Sequence, residues 1–556
     1  IIKTIVPLRF HNSSLRQALK DWGQDATRDR GVFVHTEAFE SINNGSKCFI
    51  LGRKGSGKSA ILKELLKTKI GGVFSFVQFP FSEIYKLEDS AFKLSRYKPI
   101  WTIFYISLAI YVLSMHKETP DSVRDKLISK NTDAKHSKIS KFLEQIRKLL
   151  EKPAVKTVCE AASYFPGIGY NYSNILRAAL EWLKETIGAP GNDNNDISPY
   201  FEIQKILIDY YNELGSKPEI VVAFDQLDEE YRESNADRYP DLIESLFAAT
   251  VEISELNIGI RPIAVLRDDI FKTQFQSNNK TKYLDYIVKI HWKKEDMYEI
   301  LRTRLSQALS IDKKRSFEEL WISLFTPFFS KGQNWESSAE SISSYECFIR
   351  HTSRTPRDCI QLLLSIFAEM LSSGNINKER CDLTIFEGAR KNFSEYYLGQ
   401  VVDAVNTAYP FIESVFNDFK TKERTNCFTL QSFSELISRH FVDDFPEDKA
   451  ALENFENARA NESNATNIVR LTDIIDKYNK TFYKNKLIPK VEQLLVALWD
   501  ACAIGVLINN AFKAKYLVDF DYAIKEKETI VFHPAICVAL NFDIGYKVFN
   551  WDYDSN

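Results

Sequence analysis

Short runs of consecutive apolar residues alternate along the chain with longer segments whose apolar positions recur every three to four residues. Five of these runs are rich in β-branched and aromatic residues, which is typical of buried strands. They cover residues 48–51, 72–78, 219–225, 258–266 and 285–291. Because segments with helical spacing separate the runs, the pattern predicts an α/β fold with a parallel sheet.

Residues 85–215 have helical spacing almost throughout, including Ser137–Glu151 and Ser173–Ile187. The most apolar part of this region is Ile100 to Met115, a stretch of 16 residues. A helix that spans a membrane needs about twenty apolar residues. We therefore predict a buried core helix here and not a transmembrane span.

Helical spacing returns at 295–308 and again at 341–408. Within the second segment, Thr355 suits an N-cap and Pro356 the first helical position, while Asp358 suits the third. The sequence therefore predicts that a helix begins at this point.

The last 150 residues combine predicted helices with two alternating segments, Tyr516–Tyr522 and Thr529–His533, which predict a β-hairpin. Helices followed by a hairpin indicate a winged-helix-like domain, a type of domain that binds DNA or other proteins. Between residues 477 and 550 ten lysines stand against seven acidic residues, so any DNA contact is expected to be weak and local. The lysines expected to make it are Lys513, Lys515, Lys525 and Lys527.

Composition narrows the class of protein. The net charge of −3 over 556 residues excludes a uniformly basic nucleic-acid binder. Eight cysteines without C-x-x-C spacing indicate reduced thiols, and neither a disulfide framework nor a zinc site. No segment is typical of a signal peptide, so a cytoplasmic protein is expected.

A glycine-rich segment follows the first predicted strand and precedes a predicted helix. Its spacing, Gly52-x-x-x-x-Gly57-Lys58-Ser59, is that of a phosphate-binding loop, in which glycines let backbone N–H groups point at a phosphate. Lys58 would bring a cation to the phosphates, and the Ser59 hydroxyl would bind Mg²⁺. The predicted nucleotide-binding residues are Gly52, Arg53, Lys54, Gly55, Ser56, Gly57, Lys58, Ser59 and Ala60.

Acidic residues end and follow the third predicted strand. A buried parallel strand would place Asp225 beside the loop, where it can hold Mg²⁺ directly or through water. Asp228 or Glu229, three and four positions later, would orient and deprotonate the attacking water. Taken alone, the same pattern also fits a surface acidic turn after a core strand.

Two arginines are candidates for contacts with the γ-phosphate of a nucleotide. Arg267 follows the fourth predicted strand, where it could stabilise developing charge or instead form a salt bridge with Asp268 or Asp269. Arg357 lies in the first turn of the helix that begins after Thr355, a position that is also typical of an ordinary surface arginine.

These motifs together resemble those of P-loop ATPases of the AAA+ and STAND group. The segment GRKGSGKSA is similar to a Walker A motif, and the strand that ends in DQLDE is similar to a Walker B motif. In particular, the chain resembles bacterial ATPases related to origin-recognition and NACHT-type proteins, many of which are encoded in anti-phage defence islands. The resemblance covers residues 30–400 well and 401–545 loosely. It implies Walker A roles for Lys58 and Ser59, Walker B roles for Asp225, Asp228 and Glu229, a sensor-1 position for Arg267 and a sensor-2 position for Arg357.

The resemblance also implies a domain organisation. The expected parts are a P-loop NTPase core of 1–84 and 216–310, a helical insertion of 85–215, a helical lid of 311–408 and a winged-helix-like domain of 409–556. The insertion accounts for the 173 positions that separate Gly52 from Asp225.

The function implied by the resemblance is an ATP-binding and ATP-hydrolysing molecular switch that uses ATP and Mg²⁺. Gln226 directly follows Asp225, at the position where many AAA+ motors carry a catalytic glutamate, so slow hydrolysis is expected. In a defence system the switch would gate a separate protein effector, because the chain shows no nuclease, protease or NADase motif. We expect an oligomer that works without a membrane. The alternative is an ATP-dependent DNA-binding loader or remodeller, similar to an origin-recognition clamp.

Overall fold

The chain forms two compact units. One consists of residues 25–296 and is called here the parallel-sheet unit; the other consists of residues 1–24 and 297–556 and is called the helical unit. The first 24 residues thus group with the later part of the chain, whereas the sequence prediction joined 1–84 to the core. The computed structural model describes residues 12–22, 33–75, 84, 93–116, 118–128, 139–150, 172–187, 198–227, 239–268, 270–271, 280–309, 315–326, 344–372, 374–375, 378–406, 412–423, 427–429, 488–508, 511–514 and 529–542.

A five-stranded sheet with the order β2-β3-β4-β1-β5 forms the centre of the parallel-sheet unit. Its strands are β1 (Phe49–Leu51), β2 (Gly71–Ser75), β3 (Ile220–Asp225), β4 (Ile260–Leu266) and β5 (Ile287–Lys289). Every pair of neighbouring strands is parallel. The predicted parallel α/β sheet is therefore confirmed, and each of its strands overlaps one of the five apolar runs.

Helices cover both faces of this sheet. Helix α1 (Asn12–Asp21) belongs to the helical unit. The described helices of the parallel-sheet unit are α2 (Glu37–Asn43), α3 (Lys58–Leu65), α4 (Lys93–Met115), α5 (Asp121–Ile128), α6 (Ser140–Leu150), α7 (Tyr172–Ile187), α8 (Ser198–Glu213), α9 (Tyr239–Leu256) and α10 (Lys280–Tyr283). Side chains of β1 alternate between the two faces: Phe49 and Leu51 pack into the core with α4 and α9, and Ile50 packs with α2 and α3. Burial on both faces explains why the strands are continuous apolar runs.

The predicted core helix belongs to α4. Its Tyr97–Met115 segment is long and apolar enough to cross a membrane, but 83% of the 18-residue window that meets this criterion is buried inside the fold. The Trp101 ring lies 5.6 Å from the ring of Phe224 in β3, and Tyr105 donates to or accepts from the Thr250 hydroxyl at 2.8 Å. The helix is therefore part of the core beneath the sheet.

The helical unit contains most of the remaining helices. They are α11 (Lys294–Leu309), which begins at the end of the parallel-sheet unit, then α12 (Phe317–Leu324), α13 (Ser344–Arg350), α14 (Pro356–Met370), α15 (Leu383–Val405), α16 (Ile412–Asp418), α17 (Ile488–Asp500) and α18 (Pro534–Leu540). The Trp22 ring packs 5.3 Å from that of Phe367 in α14, which places the N-terminal helix α1 in this unit. Thr355 caps α14 as predicted, because its hydroxyl accepts a hydrogen bond from the Asp358 N–H at 3.2 Å.

A second sheet in this unit is antiparallel and has the order β6-β9-β7-β8. Its strands are β6 (Cys427–Phe428), β7 (Ile504–Ile508), β8 (Ala511–Ala514) and β9 (Thr529–Phe532). The sequence predicts a hairpin in which residues 516–522 pair with Thr529–His533. Residues 516–522 lie outside the described part of the chain. In the described part, β9 pairs instead with β7 on one side and with β6 on the other.

Candidate functional site

The candidate site lies at the edge of the parallel sheet where the strands end. Because all five strands are parallel, their carboxyl ends meet at this edge, which is where open α/β sheets bind ligands. Strand β4 lies between β1 and β3. The residues that follow β4, beginning with Arg267, are therefore flanked by the glycine-rich loop after β1 and by Asp225 at the end of β3.

The glycine-rich loop connects β1 directly to α3. It turns tightly: the Ser56 N–H donates to the Arg53 carbonyl at 3.2 Å, and Gly57 has a φ of 97°, a conformation that favours glycine. A Cβ atom on Gly52 would lie only 2.5 Å from the Ser56 Oγ, so a larger residue at this position would force the Ser56 hydroxyl to move. Lys58 is the first residue of α3, and its backbone lies at the end of the helix that attracts anions.

The Lys58 ammonium is held against the loop that precedes it. Its Nζ donates to the carbonyl of Gly52 at 2.8 Å and to that of Arg53 at 2.9 Å. A positive charge is thus concentrated over the loop backbone. Of the other predicted loop contacts, Lys54 is exposed, and Ala60 continues α3 through a 3.0 Å bond from its N–H to the Gly57 carbonyl.

Ser59 and Asp225 meet although 166 positions separate them in the sequence. The Ser59 hydroxyl donates to Asp225 Oδ2 at 2.7 Å, and the Gln226 N–H donates to Oδ1 at 2.9 Å. Both carboxylate oxygens are therefore oriented by hydrogen bonds, and Asp225 is 8% exposed.

The donor atoms of this pair fit a magnesium ion. Serine and aspartate supply oxygen, the ligand atom that Mg²⁺ prefers, and adjacent oxygens in a magnesium octahedron lie about 2.9 Å apart. The observed 2.7 Å separation is close to that value. Among the described residues, no cluster of three or more His, Cys, Asp or Glu side chains could hold a metal by itself. Two protein ligands would leave the other positions to phosphate oxygens and water.

Gln226 adopts a strained backbone that the sequence did not reveal. Its φ is 61°, which is uncommon for a residue other than glycine and is often found at functional sites. Its side-chain Oε1 accepts a hydrogen bond from the hydroxyl of Ser75, the last residue of β2. The ends of β2 and β3 are thus joined next to Asp225.

Trp292 is the second residue of the site that the sequence did not reveal. It lies between β5 and α11, is half-buried, and donates from its indole Nε1 to the Ser56 carbonyl at 2.9 Å. The Cζ2 atom of its ring lies 3.5 Å from the place where a Cβ atom on Gly57 would stand. An indole ring thus closes one side of the glycine-rich loop.

The predicted catalytic acids Asp228 and Glu229 lie outside the described residues. The described chain ends just before them at Leu227, which is fully buried and whose carbonyl accepts a hydrogen bond from the Tyr239 hydroxyl at 2.6 Å.

Arg267 is half-buried directly after β4, where its carbonyl accepts a hydrogen bond from the Phe271 N–H at 3.0 Å. Asp268 beside it is 6% exposed, and Asp269 lies outside the described residues. A phosphate contact and a salt bridge both stay predictions for Arg267.

Arg357 belongs to the helical unit, where it occupies the second position of α14. The preceding turn is firmly held: the Ser353 hydroxyl and N–H both donate to Asp358 Oδ2, and Arg354 has a φ of 53°. The position of Arg357 within its own unit is thus well defined, and its sensor role stays a prediction.

Burial shifts the pKa values of one group in each unit, Cys48 and His351. Burial raises the pKa of the Cys48 thiol, next to β1, to about 12, so that this thiol is neutral and unreactive at physiological pH. In the helical unit, burial and, to a lesser degree, the charge of Arg390 lower the pKa of His351 well below its ordinary value. Its Nδ1 lies 2.8 Å from the Cys347 carbonyl.

Comparisons with known proteins give one distant similarity. No family model and no solved structure matches the chain. Over 407 residues the chain is 22% identical to the "Putative transposon gamma-delta 80.3 kDa protein" of Escherichia coli strain K12. The match covers 70% of this chain and 52% of the other protein, so the chain spans about half the length of the relative that it matches. This similarity does not identify a family or an activity.

Proposed function

We propose that the protein is an ATP-dependent molecular switch with a P-loop NTPase core, which binds Mg²⁺–ATP at the carboxyl edge of the parallel sheet and hydrolyses it slowly. The observation that carries the proposal is the 2.7 Å contact between Ser59 and Asp225, made next to a glycine-rich loop that opens a helix at Lys58. These residues come from two motifs that lie 166 positions apart in the sequence.

The chemistry follows from the charges and donors at this edge. Backbone N–H groups at the start of α3 and the Lys58 ammonium would bind the β- and γ-phosphates. Mg²⁺ held by Ser59 and Asp225 would neutralise phosphate charge when bound. Asp228 or Glu229 would orient the attacking water and accept its proton, and Arg267 or Arg357 would stabilise charge on the γ-phosphate.

Slow turnover is part of the proposal. In place of an acid, Gln226 follows Asp225, and its side chain is bound to Ser75. An amide cannot act as a general base, so the proton must pass to an acid further along the chain. Slow hydrolysis suits a switch whose bound state must persist.

The biological role that we propose is regulation of a separate effector in a bacterial anti-phage defence system. ATP binding would move a helical lid and a winged-helix-like domain, and an oligomer would present the change to the partner. The buried α4 helix supports a cytoplasmic protein, which should remain in the soluble fraction when expressed without detergent.

Phosphate release measured with Lys58→Ala tests the ATPase proposal. Removal of the ammonium should abolish turnover, and Lys67→Ala, which removes an exposed lysine just beyond the end of α3, should retain it. Equal activity of Lys58→Ala and the wild type would refute the proposed site. The same assay with added DNA distinguishes the alternative loader, since strong DNA stimulation that declines steeply with salt would favour a DNA clamp.

A further inference from the structure

Trp292 occupies a position from which it can control the phosphate-binding backbone. A trans peptide group is planar, and its C=O and N–H point in opposite directions. The carbonyl of Ser56 and the N–H of Gly57 belong to the same peptide group. Because the indole N–H of Trp292 binds this carbonyl at 2.9 Å, the Gly57 N–H points away from the indole N–H.

The chain segment that carries Trp292 runs alongside β1 and then contacts the loop at Ser56. Within the sheet, Phe49 is paired with Ile287 and Leu51 with Lys289. Beyond the last pair, the Ile290 N–H donates to the Leu51 carbonyl at 2.8 Å. The contact between Trp292 and Ser56 then continues this alignment onto the loop itself.

The same segment leads directly into α11. The Lys293 N–H donates to Asp296 Oδ2 at 3.2 Å, which fixes the first turn of this helix, and the Lys293 ammonium lies 3.6 Å from Glu37 at the start of α2. From Met297 onward the helix belongs to the helical unit. A change in the Ser56–Gly57 peptide group thus has a short covalent and hydrogen-bonded route to a segment in which the chain passes from one unit to the other.

We propose that Trp292 is a positioning residue that fixes the Gly57 N–H for phosphate binding and transmits the occupancy of the loop to the start of α11. This inference rests on the proposed nucleotide site. It adds that nucleotide binding in the loop changes the first turn of α11 through Trp292. The indole acts through the loop backbone and makes no covalent change to the nucleotide.

The test compares Trp292→Phe with a matched variant, Trp101→Phe. Both substitutions keep an aromatic ring and remove one indole N–H bond to a carbonyl, since Trp101 donates to the Leu242 carbonyl at 3.1 Å within the core of the same unit. Calorimetric titration with Mg²⁺–ATP should show an affinity roughly fivefold weaker for Trp292→Phe, because the Gly57 N–H is no longer held in the orientation that binds phosphate. Trp101→Phe should bind as the wild type does.

Amide hydrogen exchange at the first turn of α11 tests whether Trp292 transmits nucleotide binding. A residue that only stabilises the fold would not change the effect of Mg²⁺–ATP on this exchange. At saturating Mg²⁺–ATP, exchange there should slow in the wild type and in Trp101→Phe, and by less than half as much in Trp292→Phe. If Trp292→Phe fails to fold, 3-benzothienylalanine at this position keeps the fused ring and removes only the N–H.

Failure of the proposed nucleotide site and failure of the role of Trp292 give different results in these experiments. A wild-type protein that binds no nucleotide overturns the proposed function and this inference with it. A wild type that binds nucleotide, together with a Trp292→Phe variant of unchanged affinity and unchanged exchange at α11, overturns the inference and leaves the proposed function standing.

Discussion

Substitution of Asp225 by asparagine removes the negative charge of this side chain and keeps its shape. It therefore tests what the charge alone contributes to the site. The two side chains have nearly the same size, and the asparagine oxygen can still accept the hydrogen bond that the Gln226 N–H makes at 2.9 Å. The asparagine NH₂ group would then face the Ser59 Oγ, which can accept as well as donate. We therefore expect the free energy of unfolding to change by less than about 1 kcal/mol.

Magnesium-dependent nucleotide binding should respond much more strongly. Two unit charges about 4 Å apart interact by about 4 kcal/mol at an effective dielectric constant of about 20. Asparagine keeps an oxygen ligand but not the charge, so we expect binding to weaken by about 2–3 kcal/mol, or about 100-fold in the affinity for Mg²⁺–ATP. Affinity for ATP in the presence of a chelator should change by much less.

The assay is an equilibrium titration of wild type and Asp225→Asn with ATP, with and without Mg²⁺. Asp209→Asn is the matched control, because it makes the same chemical change at an exposed position on α8 of the same unit. The reasoning would be refuted by an Asp225→Asn protein that folds and gains as much affinity from Mg²⁺ as the wild type does.

Three further perturbations test other parts of the account. Glu229→Gln, alone or combined with Asp228→Asn, should keep ATP binding but slow phosphate release about 100-fold, because the general base is removed. Unchanged turnover in the double variant would place the base elsewhere. The pKa of His351 is lowered in the folded protein, so the unfolded state takes up a proton first as the pH falls below about 6.5, and stability should then fall by up to about 1.4 kcal/mol per pH unit. Denaturant titrations at several pH values should show that stability depends less on pH in His351→Gln than in the wild type, and an unchanged pH dependence would contradict the burial argument. Charge reversal at Lys525 and Lys527 should flatten the salt dependence of any DNA binding. The slope of log affinity against log salt concentration should fall by about one unit for each phosphate that is no longer bound. Loss of biological activity with unchanged DNA affinity would instead indicate a protein-docking domain.

Local patterns in the sequence were sufficient for the five strands of the parallel sheet and for some helix boundaries. The apolar run before Gly52 became β1, and Thr355 caps α14, because burial on both faces and capping act over a few neighbouring residues. The contact between Ser59 and Asp225 could also be anticipated, since the parallel arrangement of strands brings their carboxyl ends together.

Contacts that depend on the detailed fold could not be read in this way. Trp292 lies 236 positions from Ser56, and Gln226 lies 151 positions from Ser75, with no motif linking either pair. The strand partners of Thr529–Phe532 were likewise hidden, because alternating patterns specify a face of a strand and not its neighbour.

The central claim is that the loop from Gly52 to Ser59 binds the phosphates of ATP together with Mg²⁺, and direct calorimetric titration of the wild-type protein tests it most simply. The account predicts saturable binding of one ATP per chain that is strengthened by Mg²⁺, and no measurable binding by a folded Lys58→Ala variant. Absence of binding by the wild type, or equally tight binding by folded Lys58→Ala, would contradict it.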